Sequence, residues 1–130
     1  MEMPAGIAAT LDGLAAIVGS RATIARGVLE EHGRSEAYHL PQPPDVVVFP
    51  QTTQEVVQVV KFCASLGLPI VAYGAGTSLE GNTAAVVGGV CLDFSRMNGI
   101  LRLNDNDMDV VVQPGITRKQ IFNPSPDLRA

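Results

Sequence analysis

The sequence predicts an α/β fold, of the α+β kind, built on a small βαβ unit with a mixed sheet. Two apolar runs of strand length, residues 46–49 and 70–73, flank a segment whose apolar residues recur at helical spacing. Three further apolar runs after residue 89 are separated by turn residues, as the strands of a sheet are. Two amphipathic segments before residue 34 predict a helical N-terminal extension.

Composition fits one folded domain and argues against a nucleic-acid surface. The 130 residues are 46% apolar, which allows a buried core, and they carry a formal net charge of -4. The nine Lys and Arg residues are dispersed, whereas binding to nucleic-acid phosphates needs clustered cations. Cys63 and Cys91 lack metal-ligand spacing and lie in apolar runs, so we expect buried free thiols and a reducing, cytoplasmic location.

The N-terminal extension, residues 1–40, is expected to contain two helices, over residues 7–18 and 21–31. The first helix places apolar residues on one side, at positions 7, 11, 14 and 18, and Gly33 ends the second. No basic start precedes the first helix and it is short, so neither a secretion signal nor a membrane span is expected. Three prolines within residues 41–44 cannot be helical and end the extension.

The central βαβ unit has a signal at each of its boundaries. Pro50 ends the first strand, and Thr52 with Glu55 three residues later predicts a capping box that starts the helix. Gly67 and Pro69 end the helix before the second strand. We expect a right-handed crossover. The loop after the second strand then leaves from that strand's carboxyl end, where open α/β sheets bind ligands.

The last third of the chain is predicted to be mainly β structure. Strands are expected over residues 90–94, 100–103 and 109–113, with a short helix beginning near Thr117. Turn residues at 97–99 and an Asn/Asp-rich stretch at 104–107 separate these strands. Two prolines within residues 122–130 argue against a continued helix, so we expect an irregular tail there.

The turn after the second strand is a candidate anion site. It carries glycines at 74, 76 and 81, with the hydroxyls of Thr77 and Ser78 between them. Such a turn can aim several backbone N–H groups at one point and hold a phosphate or pyrophosphate. On glycine spacing alone, a surface turn without a ligand is an equal alternative. Its position at the carboxyl end of a strand favours the ligand.

Two familiar phosphate loops do not fit this turn. The dinucleotide fingerprint needs a glycine where Leu79 stands. A Walker loop needs a lysine where Asn82 stands, and Glu80 would place a negative charge inside that loop. Nucleotide triphosphatase chemistry is therefore not expected.

The remaining polar residues predict no catalytic group and no metal site. His32 is expected to cap its helix or to face solvent, and His39 is expected to be exposed. Asp93 is expected to accept from backbone donors at a strand end, and Glu80 to be solvated. Ser78 lacks the nucleophile-elbow pattern, so we do not expect it to act as a nucleophile.

Five segments, taken in order, resemble one family of flavoproteins. They read EHGRSEAY at 31–38, PPDVVVFP at 43–50, YGAGTSLEG at 73–81, DFSRMN at 93–98 and VVQPG at 111–115. This series resembles the FAD-binding domain of the vanillyl-alcohol oxidase/PCMH family, and within it FAD-linked D-lactate dehydrogenases and the flavin subunit of glycolate oxidase. The resemblance implies a PCMH-type subdomain, with residues 41–121 as the first half of the FAD-binding domain.

The resemblance also implies a set of FAD contacts. The pyrophosphate would be wrapped by the loop residues Tyr73, Gly74, Ala75, Gly76, Thr77, Ser78, Leu79 and Gly81. The adenosine side would be contacted by Pro114 and Gly115. Some relatives attach the flavin through a histidine in this loop. Thr77 and Ser78 offer no such group, so non-covalent FAD is expected.

The function implied by the resemblance is the oxidation of a 2-hydroxy acid of the D-lactate or glycolate type, by hydride transfer from its C2 carbon to FAD. Family members continue past the position of Ile121 into a second half of the flavin domain and a substrate domain. The chain is therefore expected to be a truncated member that is inactive alone. The alternatives are a flavin-binding module or subunit completed by a partner chain or by self-association, and an inactive fold with a structural role.

Overall fold

The structure is a computed structural model that describes residues 5–33, 43–75 and 88–122. Several expectations fall outside these ranges, namely the exposure of His39, the solvation of Glu80, the irregular tail and the loop residues from Gly76 to Gly81. Within the described ranges, helices lie against a four-stranded mixed sheet, and a two-stranded sheet follows it. The predicted α/β fold with a mixed sheet and N-terminal helices is confirmed.

The N-terminal extension differs from its prediction in one place. Helix α1 spans Ala5–Val18, a 3₁₀ turn spans Gly19–Arg21, strand β1 spans Ala22–Thr23 and helix α2 spans Arg26–Gly33. The sequence pattern predicts a start of the second helix at residue 21, and the helix begins five residues later. The cause is a long-range pairing, because Ala22 and Thr23 pair antiparallel with the next strand. Thr23 Oγ1 then accepts a hydrogen bond from the amide of Ala25 (3.0 Å) and turns the chain into α2.

The βαβ unit forms as predicted, from β2 (Val46–Val48), α3 (Thr53–Leu66) and β3 (Ile70–Tyr73). Thr52 caps α3 by accepting from the amide of Glu55 at 3.1 Å, while the shortest backbone contact of the Glu55 carboxylate is from the amide of Gln51 at 2.8 Å. One arm of the predicted capping box is therefore shifted by a residue. Gly67 ends the helix in the left-handed conformation (φ 66°), as a C-terminal glycine does.

Strand β4 (Val90–Asp93) lies between the two strands of the βαβ unit and is parallel to both. The strand order is β1-β2-β4-β3, with β1 antiparallel at one edge. In this register Cys91 pairs with both Val47 and Val71, and Asp93 pairs with Tyr73. All three parallel strands thus end at one edge of the sheet, where the chain continues into Phe49, Gly74 and Phe94.

Helices α1 and α3 cover one face of the sheet and form the main core with it. The core side chains are 0–8% exposed and comprise Leu14, Val18, Ala22, Val46, Val48, Val59, Cys63, Val90 and Leu92. The alternate residues of β2 and β4, Val47 and Cys91, are buried on the other face. Both cysteines are buried free thiols, as predicted. Burial raises the pKa of Cys91 to about 12, which keeps that thiol protonated and unreactive.

The second sheet pairs β5 (Ile100–Asn104) antiparallel with β6 (Asp109–Val112), within one residue of the predicted strands. A bulge at the start of β5 shifts its register between Ile100 and Arg102. Helix α4 (Arg118–Phe122) begins after Thr117, whose hydroxyl accepts from the amide of Gln120 at 3.2 Å. The side chain of Gln120 accepts from the amide of Thr117 in return (2.8 Å), so this helix has a reciprocal capping box.

Candidate functional site

The described part of the predicted loop lies at the carboxyl edge of the parallel strands. Tyr73 is the last residue of β3, and the exposed residues Gly74 and Ala75 follow it. The carbonyl of Tyr73 accepts from the amide of Phe94 at 3.0 Å, which ties the end of β3 to the end of β4. The loop therefore leaves the sheet at the position where open α/β sheets bind ligands.

Pro114 and Gly115, the second predicted segment, reach the same edge from β6. The amide of Gly115 donates to the carbonyl of Met97 at 2.8 Å, and a side chain at Gly115 would overlap the carbonyl of Phe94. Phe94 thus contacts both predicted segments through its backbone. The structure brings the described parts of the predicted site to one turn, residues 94–97. The residues Gly76, Thr77, Ser78, Leu79 and Gly81 lie outside the described ranges, so the anion nest stays a prediction.

A buried ion pair lies beside this edge and was not predicted. His32 Nε2 and Asp93 Oδ2 are 2.6 Å apart, and both side chains are at most 8% exposed. His32 Nδ1 also lies 2.8 Å from the carbonyl of Val28 in its own helix. The contact is with a carbonyl inside α2 and not with a free carbonyl at its end, so the expectation that His32 caps its helix is not confirmed, and the alternative that it faces solvent is wrong. The reason is that α2 packs over β2 and directs the ring toward β4.

The charge state of the pair follows from its hydrogen bonds. Burial alone would lower the pKa of His32, but the hydrogen bonds to Asp93 and Val28 outweigh it and raise the pKa above its ordinary value. Burial alone would raise the pKa of Asp93, but the hydrogen bonds from His32 and Ser95 outweigh it and lower the pKa. An imidazolium that donates from both nitrogens to a carboxylate and a carbonyl satisfies every acceptor present.

Aromatic rings enclose the imidazole. The ring of Tyr73 lies 4.5 Å from it, centroid to centroid, and the ring of Phe49 meets it edge-on at 5.8 Å. The guanidinium of Arg96 lies over the ring of Phe49, 5.3 Å from its centroid. His32 therefore touches residues at the ends of all three parallel strands.

The carboxylate of Asp93 is fully used in hydrogen bonds at this edge, and the exposed carboxylate of Glu31 on α2 lies near His32 and Tyr73. Asp93 Oδ1 accepts from the amide of Ser95 at 2.8 Å, which confirms its predicted role toward a backbone donor, and Oδ2 is held by His32. The cation of Arg96 is exposed there and has no carboxylate partner in the part of the chain that the structure describes. The edge therefore fits an anionic group such as a pyrophosphate.

A largely apolar cavity lies at the opposite edge of the sheet. It has a volume of about 350 Å³ and is lined by the start of α1, the end of α3 and the residues Asp45 and Gly89. This cavity faces the amino ends of β2 and β4. It is separate from the segments predicted to bind the cofactor.

The described residues have two further properties. None of the helices there combines the length and the apolar content that crossing a membrane requires. In residues 5–33, 43–75 and 88–122, no three His, Cys, Asp or Glu side chains converge as metal ligands would.

Comparison with known proteins gives one family match and several relatives. The family model described as "FAD binding domain" matches residues 44–123. The chain is 44% identical over 99 residues to "Probable D-lactate dehydrogenase, mitochondrial" of Danio rerio, a match covering 76% of this chain and 20% of that protein. It is 38% identical over 73 residues to "Glycolate oxidase subunit GlcD" of Bacillus subtilis strain 168, covering 56% of this chain and 16% of that subunit.

The fold is also similar to that of a solved enzyme structure. The structure of p-cresol methylhydroxylase with substrate bound superposes with a TM-score of 0.82 at 23% identity, over 93% of this chain and 24% of that chain. The PCMH-type fold expected from the sequence is thereby confirmed. The chain spans about a fifth, or less, of the length of the curated relatives it matches.

Proposed function

This chain belongs to the FAD binding domain family, and we propose that it holds FAD without a covalent bond at the carboxyl edge of its parallel strands. One observation carries the proposal. The two segments expected to contact FAD are separated by about forty residues in the sequence, and both contact the backbone of Phe94. A glycine turn that binds no ligand would not require these two segments to lie together.

The proposed contacts divide between the two segments. The pyrophosphate is assigned to the loop, through Tyr73, Gly74, Ala75, Gly76, Thr77, Ser78, Leu79 and Gly81. The adenosine side is assigned to Pro114 and Gly115. Backbone amides and short hydroxyls in the loop would donate to the phosphate oxygens, and Arg96 would add a positive charge nearby.

We further propose that this is the N-terminal part of an FAD-dependent oxidoreductase that acts on 2-hydroxy acids of the D-lactate or glycolate type. The support is the names of the two relatives and the homology over most of this chain. When bound, FAD would supply the electron chemistry. The residues of this chain would bind and orient the cofactor, and none of them is proposed to move the substrate proton.

The test is titration of the chain with FAD, followed by flavin fluorescence and by thermal shift. The variant Gly74→Leu is the most direct probe, because no described residue lies within 4 Å of the position its Cβ would take. The free chain should therefore keep its stability, while the new side chain would occupy the space proposed for the pyrophosphate. We expect FAD binding to weaken at least tenfold, the effect of losing roughly 1.4 kcal/mol of binding free energy.

The matched control is Gly27→Leu. Gly27 is likewise free of neighbours within 4 Å of an added Cβ, but it lies on the exposed side of α2. This variant should bind FAD as the unsubstituted chain does. Equal binding by the Gly74→Leu variant would exclude the assigned loop, and failure of the folded, unsubstituted chain to bind FAD would exclude the function.

A second candidate function is a flavin-binding module that needs a partner chain for catalysis. It is favoured by the exposed apolar side chains of the second sheet and α4, among them Leu103 (65% exposed) and Phe122 (72%). Dye reduction with D-lactate or glycolate by this chain alone tests whether either candidate is catalytically self-sufficient. We expect no turnover, and substrate-dependent reduction would favour a self-sufficient enzyme. The cytoplasmic location stays a prediction.

A further inference from the structure

We propose that His32 and Asp93 are positioning residues that hold Tyr73, and with it the start of the FAD loop, in the binding conformation. This role rests on the proposed function. It concerns residues outside the segments assigned to FAD, because His32 lies on α2 and Asp93 ends β4.

The pair controls Tyr73 from two sides. The imidazole packs against the Tyr73 ring at 4.5 Å, and Asp93 is the register partner of Tyr73 in the sheet. The residue after Asp93 donates its amide to the Tyr73 carbonyl. Gly74 follows directly, so the direction in which the loop leaves the sheet depends on where Tyr73 is held.

Every polar side-chain atom of the pair has a hydrogen-bond partner. Each nitrogen of His32 is within 2.8 Å of an acceptor, and Asp93 uses one oxygen for His32 and the other for the Ser95 amide. Such a pair is costly to break, because either partner left alone would be a buried charge. A firmly held Tyr73 fixes the start of the loop before FAD binds, and such preorganisation increases affinity.

The pair also links FAD affinity to pH. The titratable or charged groups near the imidazole are Asp93 on β4, Glu31 on α2, Tyr73 on β3, and Arg96 across the Phe49 ring. Cys91 on β4 acts on Tyr73. The raised pKa of His32 means that the pair is intact below that pKa and loses a donor as pH rises through it. The lowered pKa of Asp93 means that the pair is lost at the acid side as pH falls through that value.

The experiment measures the FAD dissociation constant of the unsubstituted chain and of the Asp93→Asn variant across pH, only where circular dichroism shows folded protein. For the unsubstituted chain we expect binding to weaken as pH rises through the titration of His32. The neutral amide of the variant cannot balance the charge of an imidazolium. The variant should therefore bind roughly tenfold more weakly near neutral pH, the usual effect of losing a hydrogen bond to a charged group. Its alkaline transition should move to lower pH.

The matched control is Asp45→Asn, at the amino edge of the same sheet. Asp45 accepts from the amide of Gly89 at 2.8 Å, so its substitution removes a hydrogen-bonded carboxylate charge far from the loop, while the Asn oxygen can still accept. It should leave the FAD affinity and its pH dependence unchanged. An equal effect of Asp45→Asn and Asp93→Asn would overturn the positioning role and indicate general destabilisation.

If the Asp93→Asn variant does not fold, the pH dependence of FAD affinity in the unsubstituted chain still tests the positioning role. An FAD affinity that is constant with pH, over the range in which the chain is folded, would overturn the role. Absence of FAD binding at every pH would overturn the proposed function and this role with it. FAD binding without pH dependence would overturn the positioning role alone.

Discussion

Two glycines of the candidate site differ in their steric environments. An added Cβ at Gly115 would overlap the carbonyl of Phe94 and approach that of Met97, whereas at Gly74 it would meet no described residue within 4 Å. Gly115 is therefore needed by the fold itself, because two backbone segments approach closely there. Nothing among the described residues requires a glycine at position 74, which makes it the more informative position for a ligand.

Replacement of Gly115 by Ala should destabilise the chain by about 1–3 kcal/mol, the range for overpacking a close contact. The methyl group would push residues 111–115 away from the turn that follows β4. Urea unfolding measures the loss. Gly27→Ala, at an open helical position, should instead stabilise by about 0.5–1 kcal/mol. Equal stability of the Gly115→Ala and unsubstituted chains would contradict the close approach.

The ion pair of His32 and Asp93 shows what sequence reasoning misses at the residue scale. The two residues are 61 positions apart, and each is locally ordinary, a histidine near a helix end and an aspartate at a strand end. Local patterns correctly predicted that Asp93 accepts from a backbone amide, but they did not predict the burial of His32. Their meeting depends on how α2 packs over the sheet, which no local spacing encodes.

At the scale of elements, the βαβ unit was predictable because its boundary signals are local. Thr52 and Gly67 act as helix caps in the structure as they do in the sequence pattern. Strand β1 was not predictable, because its two residues are held by pairing with β2 across more than twenty residues. The strand order was also not predictable from local patterns, since β4 lies between β2 and β3 although it follows both in the sequence.

One ion pair joins the N-terminal extension to the βαβ unit. Both Glu55 oxygens accept from the Arg21 guanidinium, which also donates to the carbonyl of Phe49 at 3.1 Å. The hydrogen bond from Arg21 lowers the pKa of Glu55 from 4.5 to about 2. The stabilisation from this lowered pKa is present above pH 4.5 and is lost as pH falls toward 2.

Replacement of Glu55 by Gln should lower the free energy of unfolding by about 1 kcal/mol at neutral pH. It should also flatten the dependence of the melting temperature on pH between 5 and 2, because the titrating group is gone. The control is Glu30→Gln, which breaks the exposed pair of Arg26 and Glu30 within α2. This second pair should contribute less. An unchanged acid profile in the Glu55→Gln variant would contradict the structural pair.

At the scale of the whole molecule, the N-terminal extension is part of the core. Leu14 and Val18 of α1 are at most 4% exposed and pack with α3 and the sheet. The boundary at residue 40 remains a prediction, but β1 and the two ion pairs bind the extension to the rest of the chain. The extension therefore supports the candidate site instead of standing apart from it.

The second sheet, in contrast, is not part of the core. It consists of two strands and leaves apolar side chains exposed to water. Leu101 is 53% exposed and Leu103 is 65% exposed, while Val110 and Val112 on the paired strand are half-buried. A two-stranded sheet is marginal in water without further packing. We therefore expect the chain to self-associate through this sheet as its concentration rises.

Replacement of Leu103 by Lys should weaken that association at least tenfold, since it buries a charge in the proposed contact. Sedimentation velocity over a concentration series measures the change. The control is Val57→Lys, an exposed apolar position (45%) on α3 and away from the second sheet, and it should leave association unchanged. A monomer at every concentration would rule out self-association. It would favour a different chain as the partner that covers the apolar side chains of this sheet. Equal loss of association in both variants would place the contact elsewhere, because only the position of the new charge separates them.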